Sequence, residues 1–190
     1  MKIKLVIGLG NPGAEYERTR HNAGFMFVDA LAKKIFDESD WKEEPKLFSA
    51  VLKVRNIVLA KPQTFMNASG KAVGALIKFY KIKPTDVLLI HDDVDIPLAE
   101  ARLQFDRSSA GHKGVESVMR ALKTQKFARL RIGVGPKRGH KEAMKVVLQK
   151  FSAPDYTDLA KHIKKWIPSI ELWIKEGLPA AQMKFAETRS

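Results

Sequence analysis

The sequence predicts an α/β sandwich built on a mixed β-sheet. Apolar, β-branched runs alternate with segments of helical periodicity, the pattern of strands interleaved with helices. The run Val87 to Ile90 is apolar at every position, as a strand buried on both faces requires. From Lys2 to Gly8 a first strand carries Ile3, Leu5, Val6 and Ile7 and stops at a Gly/Asn/Pro turn. A polar loop, Ala14 to Gly24, precedes a helix expected from about Ala23 to Phe36, where Phe25, Val28, Leu31, Ala32 and Ile35 recur at helical spacing. Asp37 to Lys46 reads as a polar connection, and Phe48–Arg55 with Ile57–Lys61 as a hairpin broken near Asn56. A short loop between Lys61 and Gly70 leads into a second helix with Ala72, Val73, Leu76, Ile77 and Phe79 on its apolar side. Beyond Val87–Ile90 come a strand at Glu100–Phe105, a Ser/Gly-rich loop at Asp106–Gly114, a short helix at Val115–Leu122 and a strand at Phe127–Val134. Ser152, Pro154 and Asp155 start a helical C-terminal third, with an apolar stripe from Leu159 to Ile174 interrupted at Pro168. Trp166 and Trp173 lie in that stripe and are expected in the core. No repeat, linker or boundary divides residues 1–190, which read as one domain.

A 45% hydrophobic fraction over 190 residues supplies a core and excludes a disordered chain. The absence of cysteine excludes disulfides, thiolate metal sites and a cysteine nucleophile. The N-terminal apolar run is too short for a signal segment, and no stretch approaches the ~18 apolar residues of a membrane span, so a soluble cytoplasmic protein is expected. A formal charge of +13 makes polyanions the first class of partner to consider.

Several constellations bear on chemistry. Gly8-Leu9-Gly10-Asn11-Pro12-Gly13 matches the G-x-G-x-x-G spacing of dinucleotide sites, but polar loop rather than helix follows it and Asp29 falls inside the first helix. It is better read as a tight turn presenting Asn11 at the sheet edge. His21, between Arg20 and Asn22, is by spacing either an exposed or capping residue ahead of the helix or a working imidazole near solvent. Asp92 follows a buried strand, where α/β sheets present catalytic carboxylates. A carboxylate bonded to one imidazole nitrogen leaves the other free to take a proton. Asp92, Asp93 and Asp95 are alternatively solvated or a hard-cation site. Ser69 lacks the surroundings of a serine nucleophile and suits a cap or first helical turn. Ser108 to Gly114 either offers backbone N–H groups to an anion or is plain loop. Arg102, Arg129, Arg131, Lys137, Arg138, His140 and Lys141 concentrate positive charge in a way that suits a phosphate backbone.

Five blocks in order resemble bacterial peptidyl-tRNA hydrolase: Gly8-Leu9-Gly10-Asn11-Pro12-Gly13 with Tyr16; Thr19-Arg20-His21-Asn22-Ala23-Gly24; Lys61-Pro62 with Thr64-Phe65-Met66-Asn67 and Ser69-Gly70-Lys71; His91-Asp92-Asp93; and Arg129-Leu130-Arg131-Ile132-Gly133. The resemblance implies a twisted mixed sheet with helices on both sides in a monomer. It implies hydrolysis of the ester joining a peptide to the 3′ ribose of tRNA, with neither metal nor cofactor. His21 would be the general base oriented by Asp92. Asn67 would support the oxyanion, and Asn11 would contact the peptide amide. Tyr16, Phe65 and Met66 would line the substrate groove, and Arg102 and Arg131 would grip acceptor-arm phosphates. Two positions depart from the pattern. Lys113 stands where the family commonly has a substrate-binding Asn, and Gln104 where a basic residue is frequent. A non-catalytic RNA-binding relative of the same fold, like chloroplast splicing factors, is the alternative that Lys113 raises.

Overall fold

A computed structural model describes residues 2–36, 40–135 and 145–188. Seven strands form one sheet in the order β2-β3-β4-β1-β5-β7-β6. In chain order these are β1 (Lys4–Gly8), β2 (Lys42–Glu44), β3 (Ser49–Val54), β4 (Ile57–Pro62), β5 (Val87–Asp93), β6 (Ala101–Phe105) and β7 (Ala128–Gly133). The central pairs β4/β1, β1/β5 and β5/β7 are parallel, while β2/β3, β3/β4 and β6/β7 are antiparallel, so the sheet is mixed as expected.

Strand alternation sends successive side chains into two cores. On β1, Val6 joins α1 (Ala23–Phe36), α4 (Ala153–Glu176) and α5 (Leu178–Glu187) on one face. Leu5 and Ile7 join α2 (Ser69–Tyr80) and α3 (Lys113–Leu122) on the other. Helices therefore cover both faces. Trp166 and Trp173 are buried in the first core, as their spacing predicts.

The structure differs from the sequence reading where local signals were weak. Residues 42–44, all exposed and charged, form an edge strand inside the expected polar connection. Charge on an edge strand discourages further pairing, which is why no apolar alternation marks it. β5 does not end at Ile90. It continues through His91, Asp92 and Asp93, paired with Arg131, Ile132 and Gly133 of β7, and all three polar residues are buried. α3 begins at Lys113 because His112 caps it. α4 runs uninterrupted through Pro168, whose ring sits on the exposed side of the helix, and Gly177 (φ 95°) separates α4 from α5. Ser152 caps α4 by accepting from the Asp155 N–H at 3.2 Å. Lys137, Arg138, His140 and Lys141 lie outside the described residues. Among the described residues, no helix is long and apolar enough to cross a membrane.

One backbone contact places the N-terminus of α1 over the sheet. A Cβ at Gly24 would lie 2.4 Å from the Ile90 carbonyl oxygen and 2.5 Å from the Leu9 nitrogen, and one at Gly8 would lie 2.2 Å from the Gly24 oxygen. These are rigid backbone neighbours, so Gly24→Ala must push α1 away from the ends of β1 and β5. The expected loss is about 3 kcal/mol or more, read as a lower midpoint in urea unfolding.

Candidate active site

The parallel strands deliver the loops after β1, β4 and β5 to one edge of the sheet, where α/β folds gather their functional groups. At that edge Asp92 is 1% exposed and receives two imidazoles. His21 Nδ1 lies 2.9 and 3.0 Å from its two oxygens, and His112 Nε2 lies 2.8 Å from Oδ1. The His21 and His112 rings are 5.2 Å apart, and His91 packs edge-on to His112 at 4.7 Å.

The proton positions follow from the partners. His112 Nδ1 accepts the Gly114 and Val115 N–H groups at 3.2 and 3.3 Å, so the His112 proton sits on Nε2 and is donated to Asp92. Burial alone would push the Asp92 carboxyl up, but the fields and hydrogen bonds of His21 and His112 outweigh it and hold Asp92 well below the usual carboxylate range. Ionised Asp92 accepts from His21 Nδ1–H, which leaves Nε2 of His21 as a lone pair. Burial pulls His21 down while the Asp92 charge and hydrogen bond pull it up more strongly, so the net shift is upward.

The same tautomers bear on metal binding. His21, Asp92 and His112 form a group whose possible ligand atoms all lie within 4.8 Å of one another. Yet the two backbone donors on His112 Nδ1 put a proton, not a lone pair, on the nitrogen that faces Asp92, which suits hydrogen bonding rather than coordination. Asp93 is engaged elsewhere, accepting from Arg131 Nε at 2.7 Å and from the Asp95 N–H at 2.9 Å.

Asn11 closes the site from β1. Its Oδ1 accepts the Met66 N–H at 2.8 Å, and its main chain exchanges two 2.9 Å bonds with the Asn22 side chain. These bonds leave the Nδ2 donors of Asn11 uncommitted. Asn67 is exposed on the short turn Met66–Ala68, and Phe65, 60% exposed, precedes it.

Comparison with known proteins then decides the family. The peptidyl-tRNA hydrolase family model matches residues 5–190. A peptidyl-tRNA hydrolase of Aquifex aeolicus is 44% identical over 166 residues, 87% of this chain and 86% of its own. One from Elusimicrobium minutum is 42% identical over 184 residues, covering 96% and 98%. The crystal structure of peptidyl-tRNA hydrolase from Acinetobacter baumannii superposes with a TM-score of 0.88 at 33% identity, covering 96% of this chain and 94% of that one. The chain belongs to the peptidyl-tRNA hydrolase family.

Within this peptidyl-tRNA hydrolase fold, His21 meets Asp92 directly, Asn11 is tied to Asn22, the residue after His21, and Asn67 with Phe65 stands on the loop beside Asn11. Met66 is buried under Gly114, so its backbone rather than its side chain serves Asn11. Tyr16 is half-buried at the end of the turn Ala14–Tyr16. Lys113 is not brought to Asp92: it is 64% exposed and reaches along α3 to Glu116 at 3.4 Å. Arg102 is exposed and faces Arg131 across the β6/β7 pair. Arg131 is held between Asp93 and the Gln104 side-chain oxygen, the latter at 2.9 Å. Arg129 is buried, and burial together with the nearby Arg131 pushes it down to about 10. Ser69 donates to the Met66 carbonyl in the first turn of α2, and the Ser108–Gly114 loop delivers His112, whose ring already occupies the first free N–H groups of α3.

The second donor on Asp92, His112, escaped the sequence reading as a site residue, because the helix was expected to begin at Val115 and histidine is not among the preferred capping residues. It does two jobs at once. His112→Ala should lose about 1 kcal/mol of capping and a further 1–3 kcal/mol from an under-bonded buried carboxylate. His112→Asn should recover the capping share only, a split visible in urea titrations of the two variants.

Proposed function

We propose that, in the hydrolysis of peptidyl-tRNA that this family membership assigns to the chain, His21 is the general base and Asp92 its orienting carboxylate. The observation that carries the reading is the imidazole of His21, tied through Nδ1 to a buried, ionised Asp92 with Nε2 left as an acceptor. Nε2 takes a proton from water as its oxygen bonds to the ester carbonyl carbon. The tetrahedral intermediate then collapses, the bond to the ribose 3′ oxygen breaks, and the proton on Nε2 passes to that oxygen. General-base assistance contributes roughly 10²–10⁴-fold, a sufficient share for an ester already activated by its ribose neighbour.

Asn67 supports the oxyanion by donating from its side-chain amide. Asn11, with Nδ2 free and Oδ1 committed to Met66, donates to the peptide carbonyl and discriminates against a charged free amine. Phe65 and Tyr16 offer aromatic surface to the terminal nucleotide and the peptide, beside the buried Met66. Arg102, Arg131 and Lys113 meet phosphates of the acceptor arm. Because Arg131 is already neutralised by Asp93, exposed Arg102 and Lys113 carry more of that contact here than Arg131 does. The protein acts as a monomer, as one domain over residues 1–190, in the cytoplasm, and without metal or cofactor.

Cleavage of N-acetyl-aminoacyl-tRNA, with unblocked aminoacyl-tRNA as control, tests the assignment. The blocked ester is expected to be cleaved and the unblocked one spared, with His21→Ala inactive. Folded native protein that binds tRNA without cleaving would move the reading to the RNA-binding alternative. Only neutral His21 accepts a proton, so kcat/KM should rise with pH through a midpoint above the ordinary imidazole value of 6.5. In Asp92→Asn the upward pull is gone while burial remains. The midpoint should then drop, and the plateau should fall roughly 10²-fold or more. For Arg102→Gln, tRNA affinity should weaken and the slope of log K against log salt should shrink by about one contact, with kcat unchanged.

A further inference from the structure

The residue beside the base is held more firmly than the base itself. Arg20 donates through Nη1 to the Val134 carbonyl and through Nη2 to the Asp155 carboxylate at 2.9 Å, and its guanidinium lies 4.8 Å from the centre of the Phe151 ring. The backbone adds three links to the same segment. The Arg20 N–H donates to Gln149 at 2.9 Å, the Phe151 N–H donates to Arg18 at 2.9 Å, and Thr19 pairs with Lys150 in an isolated antiparallel bridge. Val134, which receives Arg20, donates its own N–H to the Asp93 carbonyl at 3.2 Å. One route thus runs from the neighbour of His21 to the neighbour of Asp92.

His21 needs such a brace. Its turn, Arg20–Asn22, is a three-residue 3₁₀ helix, too short to hold its own place. On the C-terminal side the turn is fixed by Asn22 on the Asn11 backbone and by Gly24 against Ile90 and Leu9. On the N-terminal side the fixing comes from the backbone links of residues 18–20 to 149–151 and from the Arg20 side chain, which carries the tie on to Val134 and Asp155. Both Nη atoms are engaged, and the side chain is only 15% exposed, so Arg20 is not free to bind a substrate phosphate.

We propose that Arg20 is the positioning residue of the catalytic base: by clamping the turn to the end of β7 and the start of α4, it sets His21 Nδ1 onto Asp92. The proposal rests on the reading of His21 as base. Arg20→Met keeps length and the contact with Phe151 but removes both donors, Arg20→Lys restores one charged donor, and Asp155→Asn weakens one anchor while leaving Arg20 in place.

Steady-state kinetics on N-acetyl-aminoacyl-tRNA across pH, with His21→Ala in parallel and long-range imidazole ¹H–¹⁵N spectra of His21, provide the test. For Arg20→Met, kcat should fall roughly 10–100-fold with KM within about twofold, as loss of orientation without loss of binding requires. The acid limb should move to lower pH, and the His21 spectrum should lose its single Nδ1–H tautomer. Arg20→Lys should recover part of each change. Folded Arg20→Met with native kcat, acid limb and tautomer, alongside an inactive His21→Ala, would overturn the role of Arg20 alone. An active His21→Ala would instead remove the base reading beneath it. A rise confined to KM would make Arg20 a substrate contact and also overturn the proposal. Should Arg20→Met fail to fold, Asp155→Asn decides: a fall in kcat of about 3–10-fold with the same movement of the acid limb supports the clamp, and native values for both refute it.

Discussion

A single carboxylate, buried and ionised at the end of a central strand, sets the terms for the elements around it. Removing an unpaired carboxylate from water is prohibitively unfavourable, so Asp92 exists in this position only because donors converge on it from separate parts of the chain. One donor comes from the turn before α1, the other from the residue before α3. The two helices pack against opposite faces of the sheet, and their N-termini meet at the same strand end. Stability and chemistry are therefore coupled at this point, since the groups that neutralise Asp92 are also those that present and hold the imidazole.

Much of this was legible in the sequence because the local and global signals agreed. Helix α1 begins and ends where its apolar spacing said, and the buried run Val87–Ile90 announced a central strand. Asp92 and His21 were legible as a pair because each sat at a loop or strand end, although only the fold brings residues 71 positions apart to 2.9 Å. The continuation of β5 through His91, Asp92 and Asp93 was not legible. Polar residues in succession carry no strand signal, and what keeps them in the sheet is pairing with β7 and burial beneath other elements. The edge strand 42–44 was hidden for the opposite reason, being wholly exposed. Met66, to which the resemblance gave a groove role, has its side chain buried by tertiary packing while its N–H is taken by Asn11.

The two departures from the family pattern take different physical forms. The Gln104 side-chain oxygen accepts from Arg131, so the guanidinium is tied down by a neutral acceptor and a carboxylate together. A side chain so restrained presents a more ordered but less cationic surface. Lys113, by contrast, is paired among the described residues with Glu116 in an exposed contact, the kind of ion pair that contributes little and breaks readily when a stronger anion arrives. In the proposed tRNA contact the exposed charge is therefore that of Arg102 and Lys113, with less from Arg131.

Three imidazoles stand in ring contact at this edge, and they are not equivalent as candidates for the proposed base. His91 donates Nδ1–H to the Asp92 carbonyl at 2.7 Å, and burial, with His112 and Arg129 nearby, pushes it far below the ordinary range, so it is a neutral packing element. His112 has its Nδ1 covered by two backbone N–H groups and its Nε2–H directed at the carboxylate, which leaves no lone pair for a substrate proton. His21 combines an uncommitted Nε2 with partial exposure, and the Asp92 charge and hydrogen bond raise it against the pull of burial. On the proposed reading, His112 is set aside by the two backbone N–H groups on its Nδ1, and His91 by burial, its unpartnered Nε2 lying away from solvent. The backbone that supplies those contacts, at the N-terminus of α3 and in the turn braced by Arg20, is therefore as much a part of the site as the imidazole itself.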